Sequence, residues 1–234
     1  MERNEAGNPA DIAGLSRNNV MLGSKRGWIR HSSYQAHLGS HDAFLDKFEP
    51  LVDAYEPLGE RLVFVNDGAK WIWKWVDEHY PKATQILDFY HAVERLCEYA
   101  VIYFADKKRR GEWIAQQKTK LLDDQVDSVI ASIEAMPCKT EKKRNAKQKL
   151  LTYYQNNRLR MYYQTYKAKG LMIGSGPIES AHRTVIQKRL KQSGQRWTIE
   201  GAQKVVNLRV ANMNRQWDSV VQLIRASSKS SVEV

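Results

Sequence analysis

The chain has 234 residues, 42% of them hydrophobic and 27% charged, with a formal net charge of +11 and a pI near 9.6. The composition is ordinary for a soluble globular protein of one or two domains, and no apolar run approaches the roughly 18 residues of a membrane span. The first residues lack the form of a signal peptide, and two cysteines without CxxC spacing indicate a reduced, cytosolic protein. The strong basic balance favours a polyanionic partner, usually nucleic acid, although ribosomal and membrane-surface proteins share it.

The first 60 residues carry weak signals. Residues 1–30 show no sustained periodicity and are predicted to be loosely structured. A short edge strand is predicted within Trp28–Leu38. Apolar residues at helical spacing predict a helix over Asp42–Tyr55, with Pro50 as a site for a kink.

A buried strand is predicted over Leu62–Val65, four apolar residues followed closely by the carboxylate of Asp67. An unbroken apolar run of this length is typical of a strand buried on both faces, although periodicity alone does not exclude a helix. Gly68 permits a sharp turn out of the strand. Asp67 would then stand where open α/β sheets place their ligands, and the alternative is that it caps the following helix.

A Trp-rich helix follows over Lys70–His79, and Pro81 is expected to end it. We expect Trp71 and Trp75 to share one face and pack inward, while Trp73 points elsewhere. The alternative for these indoles is stacking on nucleic-acid bases.

A second short strand is predicted over Thr84–Tyr90, and a well-buried helix is predicted from His91 to Phe104. The composition then changes over residues 106–170, which are predicted to be helical and basic with no strand signal. Basic runs at 107–110 and 139–149 are either solvated faces or contacts to a phosphate backbone. The high net charge favours the second interpretation, and tyrosines between the charges also suit a phosphate backbone; they are Tyr153, Tyr154, Tyr162, Tyr163 and Tyr166.

A Gly/Ser/Pro turn over residues 171–176 leads into another helix, with Pro177 suited to its first turn. Glu179 therefore lies near the positive end of that helix dipole. The helix continues as a basic face until residues 192–198 interrupt it. A last amphipathic helix is predicted over Glu200–Trp217, and the tail from Ser227 is expected to be disordered.

Five short motifs occur in order along the chain. They are Asn66-Asp-Gly-Ala-Lys-Trp-Ile-Trp73, Tyr80-Pro-Lys-Ala83, Ile86-Leu-Asp-Phe-Tyr-His91, Ile173-Gly-Ser-Gly-Pro-Ile-Glu-Ser180 and Gln195-Arg-Trp-Thr198. With these motifs the chain resembles the Kra-type insertion-sequence transposases, relatives of the Mutator group, over roughly Ser33–Trp217. These are ribonuclease-H-like enzymes of the Asp-Asp-Glu type that carry an all-helical insertion.

The resemblance implies an α/β fold with a partial ribonuclease-H-like core, truncated at the N-terminus, and a large all-helical insertion. The implied organisation is a flexible segment at 1–30, a partial core at 31–105, a basic helical insertion at 106–170, C-terminal core helices at 171–217 and a terminal segment at 218–234.

The resemblance also implies catalytic roles. Asp67 matches the second acidic residue of the triad and Glu179 the third, and both would bind Mg²⁺ or Mn²⁺. Two such ions activate the attacking oxygen and stabilise the leaving oxygen at phosphorus, and they prefer carboxylate ligands. Asp88 and His91 match the Asp-x-x-His motif of Mutator-like relatives. His91 would orient a phosphate or a neighbouring carboxylate; the alternative is a buried histidine bonded to backbone.

The implied partner is DNA, both the element ends and the target, and a homo-oligomer is left open. We expect no membrane association and a bacterial cytoplasmic location, on the nucleoid when DNA is bound. The residues expected to contact DNA are Arg183, Lys188, Arg189, Lys191, Arg196 and Trp197.

The family's first acidic residue has no clear counterpart, because Asp11, Asp42, Asp46 and Asp53 fall in predicted loops or helices. We therefore expect the carboxyl-terminal part of a transposase. The alternatives are an inactive fragment that binds DNA or co-assembles, and a basic helical interaction protein in which Asp67 and Glu179 are only caps. The active-site interpretation predicts an uncovered sheet edge and places the two carboxylates within roughly 5–8 Å of each other.

Overall fold

The computed structural model describes residues 15–20, 31–55, 57 and 61–230. They are mostly helical, with two small sheets, and they divide into two compact units, one within residues 1–56 and 176–234 and one within 57–175. The strands are β1 (Leu15–Val20), β2 (His31–Ala36), β3 (Val63–Asn66) and β4 (Thr84–Leu87). The helices are α1 (His41–Asp53), α2 (Lys70–His79), α3 (Phe89–Tyr103), α4 (Lys107–Leu122), α5 (Val126–Glu134), α6 (Glu141–Asn157), α7 (Tyr163–Ala168), α8 (Gly176–His182), α9 (Lys188–Leu190), α10 (Ile199–Met213) and α11 (Trp217–Ser230).

In the unit within 57–175, β3 and β4 form a parallel pair joined by the crossover helix α2. Their register runs from Val63 opposite Thr84 to Asn66 opposite Leu87, so both strands end at the same side. The prediction that β3 is buried on both faces is wrong, because all its residues are half-buried. In the described residues β3 and β4 each have one strand neighbour, so each has one edge without a strand partner. The uncovered edge that the active-site interpretation predicts stays a prediction.

The predicted bounds of α2 and the inward packing of Trp75 are confirmed, but the predicted placements of Trp71 and Trp73 are wrong. Trp73 and Trp75 are buried, whereas Trp71 is only half-buried. Trp75 packs edge-on against Phe64 of β3, while the indole N–H of Trp73 donates to Asn157 at 2.9 Å. Trp73 is buried because α6 and the turn that follows it cover the side of α2 that we had expected to face elsewhere.

The second strand is shorter than predicted, and the helix after it starts earlier. β4 ends at Leu87, and α3 begins at Phe89 rather than at His91. The side chain of Asp88 explains the shift, since it accepts the backbone N–H of His91 at 3.0 Å and caps the helix.

The segment over 106–170 is helical throughout its regular elements, α4 to α7, as predicted. Its tyrosines are not a solvent-facing row: Tyr154, Tyr163 and Tyr166 are buried in the same core as α3. The hydroxyl of Tyr154 donates to the carbonyl of Ala92 at 2.8 Å. Burial in this core therefore accounts for the positions of these three rings, which weakens the argument that they contact a phosphate backbone.

In the unit within 1–56 and 176–234, β1 and β2 pair antiparallel, from Leu15 opposite Ala36 to Val20 opposite His31. β2 confirms the edge strand predicted within 28–38. β1 falls inside the segment predicted to be loosely structured; residues 1–14 and 21–30, which include Asp11, lie outside the described residues. The helix predicted over 42–55 is confirmed as α1, and it contains Asp42, Asp46 and Asp53.

The same unit holds the C-terminal helices. α8 continues through a π-helical stretch, Arg183–Gln187, into α9, and the break predicted at 192–198 separates it from α10. The helix predicted over 200–217 ends at Met213, because Arg215 adopts a positive φ of 61°. The tail expected to be disordered from Ser227 is helical to Ser230 in α11, and residues 231–234 lie outside the described part.

None of the described helices combines the length and the apolar character that a membrane-spanning segment needs.

Candidate functional site at the ends of the parallel strands

Asp67 follows β3 and is exposed. Its Oδ1 accepts the backbone N–H of Ala69 at 3.1 Å, and the N–H of Gly68 donates to the side chain of Asn66 at 2.8 Å. Ala69, not Asp67, is the N-cap residue of α2, and no side chain caps that helix. The turn therefore holds one carboxylate oxygen of Asp67 and leaves Oδ2 without a hydrogen-bond partner among the described residues.

Tyr153 on α6 supports the same turn. Its hydroxyl donates to the backbone carbonyl of Asp67 at 2.9 Å. Gly68 has a φ of +96°, and a Cβ placed there would lie 3.0 Å from ring carbon Cε2 of Tyr153 and 3.0 Å from Cδ1 of Leu87. Burial raises the pKa of Tyr153 against the opposing effect of Arg95, so its hydroxyl remains a donor. No local pattern signals this contact, since Tyr153 lies on a helix far along the chain.

Asp88 follows β4 and is completely buried. Its Oδ1 accepts the backbone N–H of His91, and its Oδ2 accepts the backbone N–H of Ser175. Burial alone would raise the pKa of Asp88, but the hydrogen bonds from His91 and Ser175 outweigh it and lower the pKa to about 2. The carboxylate is completely buried with a donor on each oxygen, so it is not open to a cation from solvent.

His91 lies in the first turn of α3 with its side chain 30% exposed. Its Nδ1 is buried 3.4 Å from Oδ1 of Asp88, near enough for an ionic contact but without hydrogen-bond alignment. Asp88 raises the pKa of His91 against the effect of burial, and Asp67 and Glu94 raise it further. The buried-histidine alternative predicts a bond to backbone; the ring instead faces a carboxylate, and an enlarged cationic fraction suits it to an anionic group.

Two of the motifs behind the family resemblance meet directly. The backbone N–H of Phe89 donates to the carbonyl of Ile173 at 2.8 Å, next to the bond from Ser175 to Asp88. Between them, Gly174 lies so close to the ring of Tyr90 that a Cβ there would be 2.7 Å from two ring carbons. Residues 173–175 therefore pack onto the start of α3, which spacing along the chain could not predict.

Glu179 lies in the first turn of α8, as predicted, and is exposed. It belongs to a different unit from Asp67, and the expected closeness of the two carboxylates stays a prediction. Trp197 is 38% exposed. The other residues expected to contact DNA are all exposed in the same unit as Glu179; they are Arg183, Lys188, Arg189, Lys191 and Arg196.

Among the described residues, no group of three or more His, Cys, Asp or Glu side chains is gathered closely enough to hold a metal ion. The donor chemistry of individual residues still differs. Asp67 offers an exposed carboxylate with an unoccupied oxygen, which fits a hard cation such as Mg²⁺ or Mn²⁺, whereas Asp88 does not. Glu179 is also an exposed carboxylate of the required type.

Comparisons with protein-family models, with curated proteins and with solved structures found no match to this chain.

Proposed function

We propose that this chain is a DNA transposase subunit of the Asp-Asp-Glu class, which cuts DNA at element ends and joins the resulting 3′-hydroxyl to a target strand. The observation that carries the proposal is Asp67, an exposed carboxylate with a free oxygen on a braced turn at the end of a parallel strand. Ligand-binding groups of α/β sheets lie at this position. The motif resemblance assigns the same residue to the catalytic triad.

The chemistry follows from the donors available. Bound Mg²⁺ or Mn²⁺ ions would supply an activated nucleophile and stabilisation of the leaving oxygen. Asp67 and Glu179 are the residues that would hold them. His91 would place its partly cationic ring against a DNA phosphate, and Asp88 would fix the orientation of that ring through the contact at Nδ1.

Exposed cations in the unit that contains Glu179 support DNA binding. Lys and Arg side chains that contact phosphates release counterions, so affinity should fall steeply with salt. DNA binding without cleavage is the second candidate function, and these same cations favour it. The two candidates differ only in whether a metal-dependent strand break follows binding.

Cleavage is tested with supercoiled plasmid and Mg²⁺ or Mn²⁺. We expect the wild-type chain to nick it, and Asp67→Asn and Glu179→Gln to lose at least ~100-fold in rate, since each removes a ligand charge from a metal-dependent phosphoryl transfer. Asp123→Asn is the matched control, because Asp123 is also exposed but lies at the end of α4. Salt-sensitive binding without nicking by the wild type would favour the second candidate.

Binding is tested by duplex DNA affinity across a salt series. Replacing Arg183, Lys188, Arg189 and Lys191 together with Gln should reduce the slope of log affinity against log salt by about 0.9 for each phosphate that the variant no longer neutralises. Removing an equal charge from residues 107–110 of α4, the other basic run, shows whether that run is a solvated face, which leaves the slope unchanged, or a phosphate contact, which reduces it. An identical slope in the wild type and the first variant would exclude these four residues from the interface.

A further inference from the structure

Tyr90 combines high exposure with a fixed position. Its side chain is 63% exposed, yet the Cδ2–Cε2 side of its ring lies directly on Gly174, where any Cβ would be only 2.7 Å away. The ring also meets buried Phe89 edge-on, with 5.5 Å between the ring centroids. One side of the ring is thus supported by the protein, and most of the rest faces solvent.

Hydrogen bonds hold the backbone on both sides of the contact between Tyr90 and Gly174. Phe89 bonds to Ile173, and Asp88 bonds to Ser175, so residues 173–175 cannot move away from the ring without breaking buried hydrogen bonds. An aromatic ring held in this way loses little conformational entropy when a ligand packs on it. Such a ring is a prepared contact surface for a flat ligand.

The charges nearby indicate which flat ligand fits. His91 is the next residue and carries an enlarged cationic fraction, while the carboxylates of Glu94 and Asp67 act on the same ring of His91. A planar group with an attached phosphate matches this pair of side chains: the plane stacks on the exposed ring of Tyr90, and the phosphate lies next to His91. A nucleotide within a DNA strand is such a group.

We propose that Tyr90, supported by Gly174, is a stacking platform for an unpaired nucleobase of the DNA substrate, with the adjoining phosphate next to His91. The inference rests on the proposed function in taking DNA as the ligand. It extends that function by naming the substrate form, a strand with at least one unpaired base, such as a frayed or single-stranded end. Base–aromatic stacking tolerates any base, so no sequence preference is expected from this contact.

The test uses oligonucleotides that carry 2-aminopurine, whose fluorescence falls when the base stacks, at an unpaired position. The wild type and Tyr90→Phe, which keeps the ring, should quench the probe. Tyr90→Ala should abolish the quenching and weaken binding of the unpaired substrate roughly 5- to 100-fold, with duplex affinity within about twofold. Val101→Ala is the control, since it removes an exposed apolar group from the same helix about three turns away and should behave as wild type.

A second variant, Gly174→Ala, moves the ring without removing it. The new Cβ must displace the exposed ring of Tyr90, so quenching should fall while thermal stability changes little. If the wild type binds duplex DNA with the expected salt dependence but neither variant changes quenching or affinity for the unpaired substrate, the stacking proposal is wrong and the proposed function stands. If the wild type binds no DNA in either form, the proposed function itself fails and the ligand assigned to Tyr90 fails with it.

Discussion

Asp67 and Asp88 occupy equivalent positions in the sheet and have opposite environments. Each is the first residue after one of two paired parallel strands. Asp67 is exposed, with one backbone donor on one oxygen, whereas Asp88 is completely buried with a donor on each oxygen. A carboxylate at a strand end is therefore not by itself a candidate ligand.

The spacing to the next helix explains the difference. α3 begins immediately after Asp88, so the carboxylate of Asp88 is in position to cap the helix. The backbone N–H of Ser175 donates to the second oxygen of the same carboxylate. Gly68 and Ala69 intervene between Asp67 and α2, so the helix takes Ala69 as its N-cap residue. The two extra residues keep Asp67 out of the capping position and leave it available to an external partner.

The largest expected effect separates the two carboxylates by stability. Asp88→Ala removes a helix cap and leaves the buried N–H of Ser175 without its acceptor, so we expect a loss of about 2–4 kcal/mol in the free energy of unfolding. Asp67→Ala removes one exposed hydrogen bond and should lose under ~1 kcal/mol. Chemical denaturation of both variants measures the contrast, and equal losses would refute it.

The turn after Asp67 should be nearly as sensitive as Asp88. Gly68→Ala forces a side chain into a φ of +96° and brings a Cβ to 3.0 Å from Leu87 and Tyr153. We expect a loss of about 1–3 kcal/mol. Gly111→Ala is the matched control: Gly111 lies in α4, and a Cβ added there would meet open space, so Ala should stabilise by about 0.5–1 kcal/mol. Melting curves that move in the same direction for both variants would contradict the turn geometry.

Acid should weaken the contribution of Asp88 specifically. Its pKa is about 2 in the folded protein against an ordinary value of 3.8, so between these values the unfolded chain binds more protons. The stability it contributes is therefore complete above about pH 5 and is lost as the pH falls towards 2, a change of roughly 2 kcal/mol. Subtracting the unfolding free energies of Asp88→Asn from those of the wild type across this range isolates the effect. A difference that does not shrink on acidification would show that hydrogen bonding does not lower this pKa.

The parts of the fold predicted correctly are those that local pattern determines. The apolar spacing of α1, the Pro81 stop after α2 and the Pro177 start of α8 each depend on neighbouring residues alone. The burial of Trp73 on α2 was missed, because this side chain is covered by α6, whose Asn157 lies 84 positions away along the chain. Helical periodicity reports that a face is buried, but not which distant element covers it.

The site also combines features that local pattern predicts with features that depend on residues distant in sequence. Asp67, Asp88 and His91 could be predicted to share one end of the sheet, because parallel strands end together. That Asp88 is fully occupied depends on Ser175, and that Asp67 is braced depends on Tyr153; neither partner is near in sequence. Sequence could therefore place the carboxylates but could not distinguish the buried one from the available one.

The smallest expected effect tests the brace on Asp67. Tyr153→Phe removes one hydrogen bond, from the hydroxyl to the carbonyl of Asp67, and keeps the ring that packs on Gly68. The loss of unfolding free energy should be about 0.5–1.5 kcal/mol, since the freed carbonyl can bond to water at an exposed turn. Tyr162→Phe is the control, because Tyr162 is half-buried and has no side-chain hydrogen bond in the described residues. The more direct measurement is hydrogen exchange at the amides of Gly68 and Ala69, which should accelerate in Tyr153→Phe but not in Tyr162→Phe. Unchanged exchange would mean that the side chain of Asn66 and the Asp67 carboxylate hold the turn without help from α6.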